Sequence, residues 1–205
     1  MMSDMAPVAA SPPPRERLVA AAEEQFRRFG YRRTTVDDIT RRAGTGKGSL
    51  YLHFDSKESV YLAVIEASVE RFVTRATAAL HAEGSVPRRL AALVQVTAEH
   101  YGHDELLRAS LLGDSNLVDG RPAALAADIQ RSRIRALLSE ILEEGRRDGT
   151  LRADIDPDTT AAVLFEMGWG VVRAGIEEAS GVPLETALAT LNDIVGRGVR
   201  AGRRI

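Results

Sequence analysis

The stretch "RRAGTGKGSLYLHF", Arg41 to Phe54, sets three glycines, a lysine and a serine hydroxyl beside a Tyr-x-His-Phe run. Glycine backbone with lysine is phosphate-binding chemistry, and the question is which phosphate. A mononucleotide loop requires Gly, four residues, then Gly-Lys-Ser/Thr. Here Gly46-Lys47 is followed by Gly48, and position 41 is Arg. A dinucleotide turn requires Gly-x-Gly-x-x-Gly behind a strand. Gly44-x-Gly46 runs on to Ser49 and follows a helical pattern, so it fails too. What remains is two short helices joined by a tight glycine turn, the size of a helix-turn-helix.

In such a unit one side of the second helix holds the scaffold and the other enters a DNA groove. Leu50 and Phe54 are four apart and share the inner side. Thr45, Gly48, Ser49 and Leu52 fall opposite, with Tyr51 and His53 at the flanks. Ser49 can donate to a base edge or a phosphate, and Leu52 suits a thymine methyl. Lys47, Tyr51, His53 and Lys57 are candidate phosphate contacts. The helix start beside Thr35 offers free N–H groups for another. Taken singly, Tyr51 reads as a half-buried surface aromatic and His53 as a surface histidine. Arg32-Arg33 and Arg41-Arg42 read as solvated charge. Their concentration on one small unit carries the argument.

The elements that must position these residues follow from helical spacing, which runs almost unbroken after Arg15, with no alternating strand pattern. Residues 1–14 read as a disordered tail ending in Pro12-Pro13-Pro14. The first helix runs from about Arg15 to Phe29, with Leu18, Ala22, Phe26 and Phe29 as its stripe and Gly30 as its stop. Thr34 or Thr35 caps the second, with Val36, Ile39 and Ala43 inward and Gly44 at its end. The third ends near Phe54, and Asp55 or Ser56 caps a long fourth, Lys57 to about Leu80. Further helices are expected over 87–101, 104–112, 122–147, 157–179 and 184–199. The expected fold is all-α with about nine helices. Residues 15–62 are expected to form a helix-turn-helix domain, and 63–205 a larger helical body.

Composition sets bounds. The chain has 205 residues and no cysteine, which removes disulfides, thiolate metal sites and cysteine nucleophiles. No apolar run is long enough to span a bilayer and no secretory leader is visible, so a cytoplasmic protein is expected. The net charge is −2, yet residues 15–62 hold ten Arg and Lys against seven Asp and Glu. Residues 63–205 hold seventeen against twenty-one. A basic head on an acidic body fits a head that meets a polyanion.

The stretch "TTVDDITRRAGTGKGSLYLHFDSKESV" closely resembles the DNA-binding segment of tetracycline-repressor-like (TetR) regulators. Thr34, Thr35, Val36, Ile39, Ala43, Gly44, Lys47, Gly48, Ser49, Leu50, Tyr51, His53, Phe54, Ser56, Lys57 and Glu58 match the pattern of that family. The resemblance covers about residues 15–65; beyond it the likeness is one of helical layout. Two positions depart. Thr40 stands where alanine is usual, and Thr45-Gly46 replaces Val-Ser, which removes a capping hydroxyl and its phosphate contact. Thr45 is the candidate to take over that cap.

The resemblance implies that residues 63–205 are a ligand-binding and dimerisation domain, with a homodimer built on the last two helices, a palindromic operator, and repression relieved by a small-molecule effector in the body. Leu184, Leu188, Leu191 and Val195 mark the expected dimer seam, and Gly168, Gly170 and Gly175 are candidates for close helix approach. The competing reading of that stripe is an intramolecular core. His100, Tyr101, His103, Phe165 and Trp169 are candidates to line a ligand cavity. His100-x-x-His103, even with Glu99 and His81, falls short of a zinc cluster and reads as surface histidines. No metal and no cofactor is expected. The rivals are an architectural DNA binder without effector and a helical enzyme; no catalytic set stands out, and no enzyme activity is expected.

Overall fold

The computed structural model describes residues 12–82, 86–112, 117–118, 120–176 and 181–201. Among these residues there are nine helices and no strand. Of the expected tail, residues 1–11 lie outside the described residues. The chain divides into two compact units, Met1–Val64 and Ile65–Ile205.

In the first unit, α1 spans Pro14–Arg33, α2 Val36–Ala43 and α3 Lys47–Tyr51. The opening turns of α4, which spans Lys57–His81, also belong to it. Pro14 opens α1 where its missing N–H costs nothing. Leu18, Ala22 and Phe26 are fully buried, one per turn. Gly30 breaks the helix as its sequence position requires, at φ 75 and ψ 165, and a helical turn to Arg33 follows. Phe29 departs from expectation: it is exposed, with the Arg28 guanidinium 5.0 Å from its ring centre. Tyr31, delivered by the break at Gly30, fills the aromatic site instead. Its ring lies 5.7 Å from Phe26 and 5.2 Å from Tyr61 of α4. Ile39, Leu50, Phe54 and Val60 complete this core, so α2 and α3 are each pinned by one or two apolar side chains.

In the second unit, α5 spans Val86–His103, α6 Glu105–Leu112, α7 Gly120–Arg147, α8 Pro157–Ile176 and α9 Leu184–Val199. Residues 177–180, expected as the end of α8, lie outside the described residues. Helix starts follow local chemistry. The Asp104 carboxylate accepts from Leu107 N–H at 3.1 Å, and that of Asp156 accepts from Thr159 N–H at 2.8 Å. Asp156 is held below the usual carboxylate range by those Thr159 hydrogen bonds. Helix α7 packs along α8, α8 against α9, α9 against α5 and α6 against α7. After α7 and after α9 the two chain segments clasp one another. Arg152 N–H donates to Val199 at 3.0 Å, and Ala201 N–H donates to Thr150 at 3.2 Å.

Candidate nucleic-acid interface and body cavity

Helix α2 starts with a reciprocal capping box. The Asp38 carboxylate accepts from Thr35 N–H at 3.0 Å and from the Thr35 hydroxyl at 2.6 Å. That hydroxyl in turn accepts from Asp38 N–H at 3.2 Å. These hydrogen bonds hold the Asp38 carboxyl below its ordinary range. Thr35 is therefore exposed but already committed to the helix start. The helix stops at Gly44, in the left-handed region at φ 66, and the Thr45 N–H returns to the Thr40 carbonyl at 2.9 Å. Thr40 is buried, and its hydroxyl is satisfied by the Asp37 carbonyl at 3.3 Å.

Gly46 begins α3 without a side-chain cap. Thr45 does not supply one: its hydroxyl oxygen is buried and has no hydrogen-bond partner among the described residues. The hydroxyl is shut inside the unit, and α3 starts without any side-chain hydrogen bond to its first N–H groups. Thr45 thus leaves the outward set.

The rest of that set is presented as the spacing requires. Leu50 is fully buried and Phe54 nearly so, while Lys47, Gly48, Tyr51, Leu52 and His53 are exposed and Ser49 is half-buried. Leu52 is 82% exposed and Tyr51 54%, large apolar surface for a folded monomer to leave in water. A Cβ placed on Gly48 would meet nothing within 4 Å. Among the described residues nothing requires a glycine there. Lys47 pairs with Asp37 at 2.8 Å, and both side chains are more than half exposed. A pair so hydrated is worth little and can exchange its carboxylate for a phosphate.

Lys57 is a correction. Its ammonium does not point outward. It donates to the carbonyls of Tyr31 at 2.8 Å and Thr34 at 3.0 Å, and lies 4.2 Å from the Tyr31 ring centre. Burial lowers its pKa. It staples the end of α1 to the start of α4. Sequence reasoning missed this because the acceptors are backbone carbonyls more than twenty residues away, which leave no side-chain signature. Arg42 is likewise turned to the fold, pairing with Glu24 of α1 at 2.6 Å.

The second unit holds a cavity of about 810 Å³. Of the five candidates to line a ligand cavity, Tyr101, Phe165 and Trp169 fall in its wall. His100 and His103 do not. His100 is buried in a ring cluster, 5.1 Å from Phe72 and 5.8 Å from Tyr101. His103 is exposed, with Nδ1 2.7 Å from the Glu99 carbonyl. Three residues on a helix leave the two rings on one side but at different depths. No group of three or more potential metal-binding side chains occurs among the described residues.

The stripe expected as a seam on α9 turns in part to its own chain. Leu188, Leu191 and Val195 line the cavity of their own chain. Leu184 packs on α8, where a Cβ at Gly175 would come within 2.9 Å of it. Of the three glycines proposed for close approach, Gly175 makes one; a Cβ at Gly168 or Gly170 meets nothing within 4 Å. The exposed large apolar side chains of α8 and α9 are instead Val163, Met167 and Ile194.

A polar chain that no sequence motif announced joins cavity wall to helix ends. Gln130, fully buried, donates to Ser110 at 2.6 Å and to the Leu107 carbonyl at 3.3 Å. Its carbonyl accepts from the Tyr101 hydroxyl at 3.5 Å. Burial pushes the Tyr101 phenol well above its ordinary range. Nearby, the Ser68 hydroxyl of α4 donates to Asp104.

Residues 18–64 match the family model described as bacterial regulatory proteins, tetR family. Over the longer chain the protein is similar to the HTH-type transcriptional repressor KstR2 of Mycolicibacterium smegmatis. The two are 29% identical over 82% of this chain and 83% of the relative. The crystal structure of Escherichia coli NemR in its reduced form aligns with a TM-score of 0.64 and 27% identity, over 94% of this chain and all of that one. The fatty acid degradation regulator FadR from Bacillus halodurans shares the fold, with a TM-score of 0.67 and 22% identity over 95% and 98% of the two chains.

Proposed function

The chain belongs to the tetR family of bacterial regulatory proteins and is a DNA-binding transcriptional regulator, and from that premise we propose that it is a repressor. It binds a palindromic operator as a homodimer and is released by a small molecule held in the body cavity. The observation that carries the DNA contact is the outer surface of α3. Gly48, Tyr51 and Leu52 are turned to solvent and Ser49 is half-buried between them, while Leu50 and Phe54 anchor the helix behind. Ser49 and Leu52 read base edges and methyl groups. Lys47, Tyr51 and His53 hold phosphates.

The pairing surface in this reading is the outer side of α8 and α9, where Val163, Met167 and Ile194 leave apolar area in water. Two copies related by a twofold axis place their reading helices in major grooves about 34–36 Å apart, or a multiple of that. Release requires that the effector bind the non-DNA geometry more tightly, by about 1–3 kcal/mol of coupling. Helix α4 supports that role, since its residues Phe72, Leu80 and His81 line the cavity.

The test is a titration of a palindromic DNA fragment with purified protein at several salt concentrations, with light scattering to give the mass in solution. Sequence-selective binding that falls steeply with salt, by a dimer, supports the reading. Equal affinity for unrelated fragments, or a monomer that binds as well as the dimer, refutes it.

A further inference from the structure

We propose, resting on the reading of α3 as the helix that enters DNA, that Arg33 is a further DNA contact. Its guanidinium holds a backbone phosphate beside the start of α2, outside the reach of α3. The chain around it is a fixed mount. Gly30, at φ 75 and ψ 165, takes a backbone conformation that glycine alone holds readily, and it kinks the last helical residues, Tyr31 to Arg33, away from the rest of α1. The Tyr31 ring lies 5.7 Å from that of Phe26 and 5.2 Å from that of Tyr61. Thr34 is buried, and its hydroxyl donates to the carbonyls of Gly30 at 2.8 Å and Gln25 at 3.1 Å. Lys57 donates to the carbonyls of Tyr31 and Thr34. Both flanks of Arg32-Arg33 are thus tied inward, while the two arginines are exposed. A backbone held this firmly loses little freedom when it meets a partner.

The charge on Arg33 is left over by the fold. Other cations of the same unit are answered nearby: Arg42 by Glu24 at 2.6 Å, Lys47 by Asp37 at 2.8 Å and Arg41 by Asp38 at 3.5 Å. Asp37 and Asp38 are the carboxylates nearest to Arg33 along the chain, so both are already engaged. No carboxylate among the described residues pairs with Arg33. Its place also fits. Arg33 lies two residues before Thr35, the cap of α2, so their Cα atoms are within about 7.6 Å. The Lys47–Asp37 pair ties that first turn of α2 to the start of α3. Successive phosphates of one strand advance about 3.4 Å along the duplex. A strand that lies against the start of α2 therefore carries a phosphate to Arg33 within about two steps. Asp37 and Asp38 suit the helix start but repel such a strand. Lys47 and Arg41 offset them, and Arg33 adds the surplus positive charge that draws the strand in. Its planar fork matches two phosphate oxygens at once.

The test uses the full chain and the duplex it binds most tightly from a pool randomised over about 30 base pairs, about three turns of the double helix. Kd is measured from low to high salt for the parent, Arg33→Gln and Arg33→Lys, beside a thermal melt of each. Each phosphate contact contributes about 0.9 to the slope of log K against log salt, so Arg33→Gln is expected to flatten the slope by about 0.9 for each head bound. At about 0.15 M salt that is a Kd weakened about fivefold per head, and the lines of parent and variant converge near about 1 M. Arg33→Lys keeps the charge and is expected to keep the slope. The melts are expected to coincide, because the side chain is exposed. Ethylation of the phosphates one at a time locates the contact. In each half-site one ethylated phosphate is expected to hinder the parent and leave Arg33→Gln unaffected.

A slope unmoved by Arg33→Gln overturns the proposal and returns Arg33 to solvent. So does an ethylation pattern shared by parent and variant, or a flattened slope that comes with a lowered melt. If the parent selects no duplex, the reading of α3 falls and Arg33 with it. If the parent selects a palindrome and only the Arg33 results fail, the regulator reading stands and this contact alone falls.

Discussion

Replacing Lys57 decides between two roles for one charge. Facing outward, it would hold a DNA phosphate, and its loss would flatten the dependence of log K on log salt by about one unit with no change in stability. The structure gives it two carbonyls, at 2.8 and 3.0 Å, and a tyrosine ring at 4.2 Å. In Lys57→Met the stem still packs, but both carbonyls lose their donor and the ring its cation. Hydrogen bonds from a charged donor contribute about 1.5–3 kcal/mol each when buried, and a cation–π contact about 0.5–2 kcal/mol. The site is only partly buried, so water recovers a good share of this. The net expected loss is about 2–3 kcal/mol. For a chain of this length that corresponds to a fall in Tm of roughly 4–12 °C. The assay pairs a thermal melt of the variant with salt-dependent DNA titrations run well below its Tm. The expected result is a lowered melt and an unchanged salt slope. A slope flattened by one unit with an unmoved melt would refute the staple and restore the phosphate contact.

Other outcomes follow from the same geometry. The Asp38 carboxyl titrates below its unfolded value, so the stability it lends is present above the ordinary carboxylate range and lost as pH falls through its lowered folded value. Asp38→Asn should remove part of this acid sensitivity, read by melts across the acid range. Gly44→Ala forces a side chain into the left-handed region and should cost about 1–2 kcal/mol in a urea melt. Gly48→Ala should leave the melt unchanged or slightly raised yet weaken DNA binding, because its cost falls on what meets that surface. Gln130→Leu takes from the Ser110 hydroxyl its donor and from the Tyr101 hydroxyl its acceptor and should cost about 1–3 kcal/mol by the same melt. Met167→Glu with Ile194→Asp should yield a folded monomer by light scattering if the outer side of α8 and α9 is the seam.

What could be read before the structure was local. Thr35 as a cap, Gly44 as a stop, and Leu50 with Phe54 as the inner side of α3 each depend on residues within four positions, where helix geometry alone decides. What could not be read depends on what a helix is packed against. The α9 period announces one buried side, but the same period serves a partner subunit or a cavity wall, and here Leu188, Leu191 and Val195 take the wall. Phe29 fits the stripe of α1 by spacing, yet the break at Gly30 brings Tyr31 into the place an aromatic would fill. His100 and His103 share a side but not a depth, a difference carried by the neighbouring helices.

The turn ahead of α3 carries a hydroxyl that folding does not use. Leaving the Thr45 oxygen shut away without a donor or acceptor costs about 1–3 kcal/mol, and valine has nearly the same outline without that demand. Thr45→Val is therefore a route to a hardier head that leaves every exposed atom of the reading helix as it is. A hardened variant of this kind would tolerate disruptive changes at Tyr51 or Ser49 better than the parent, and so would let the letters of the operator be worked out one position at a time.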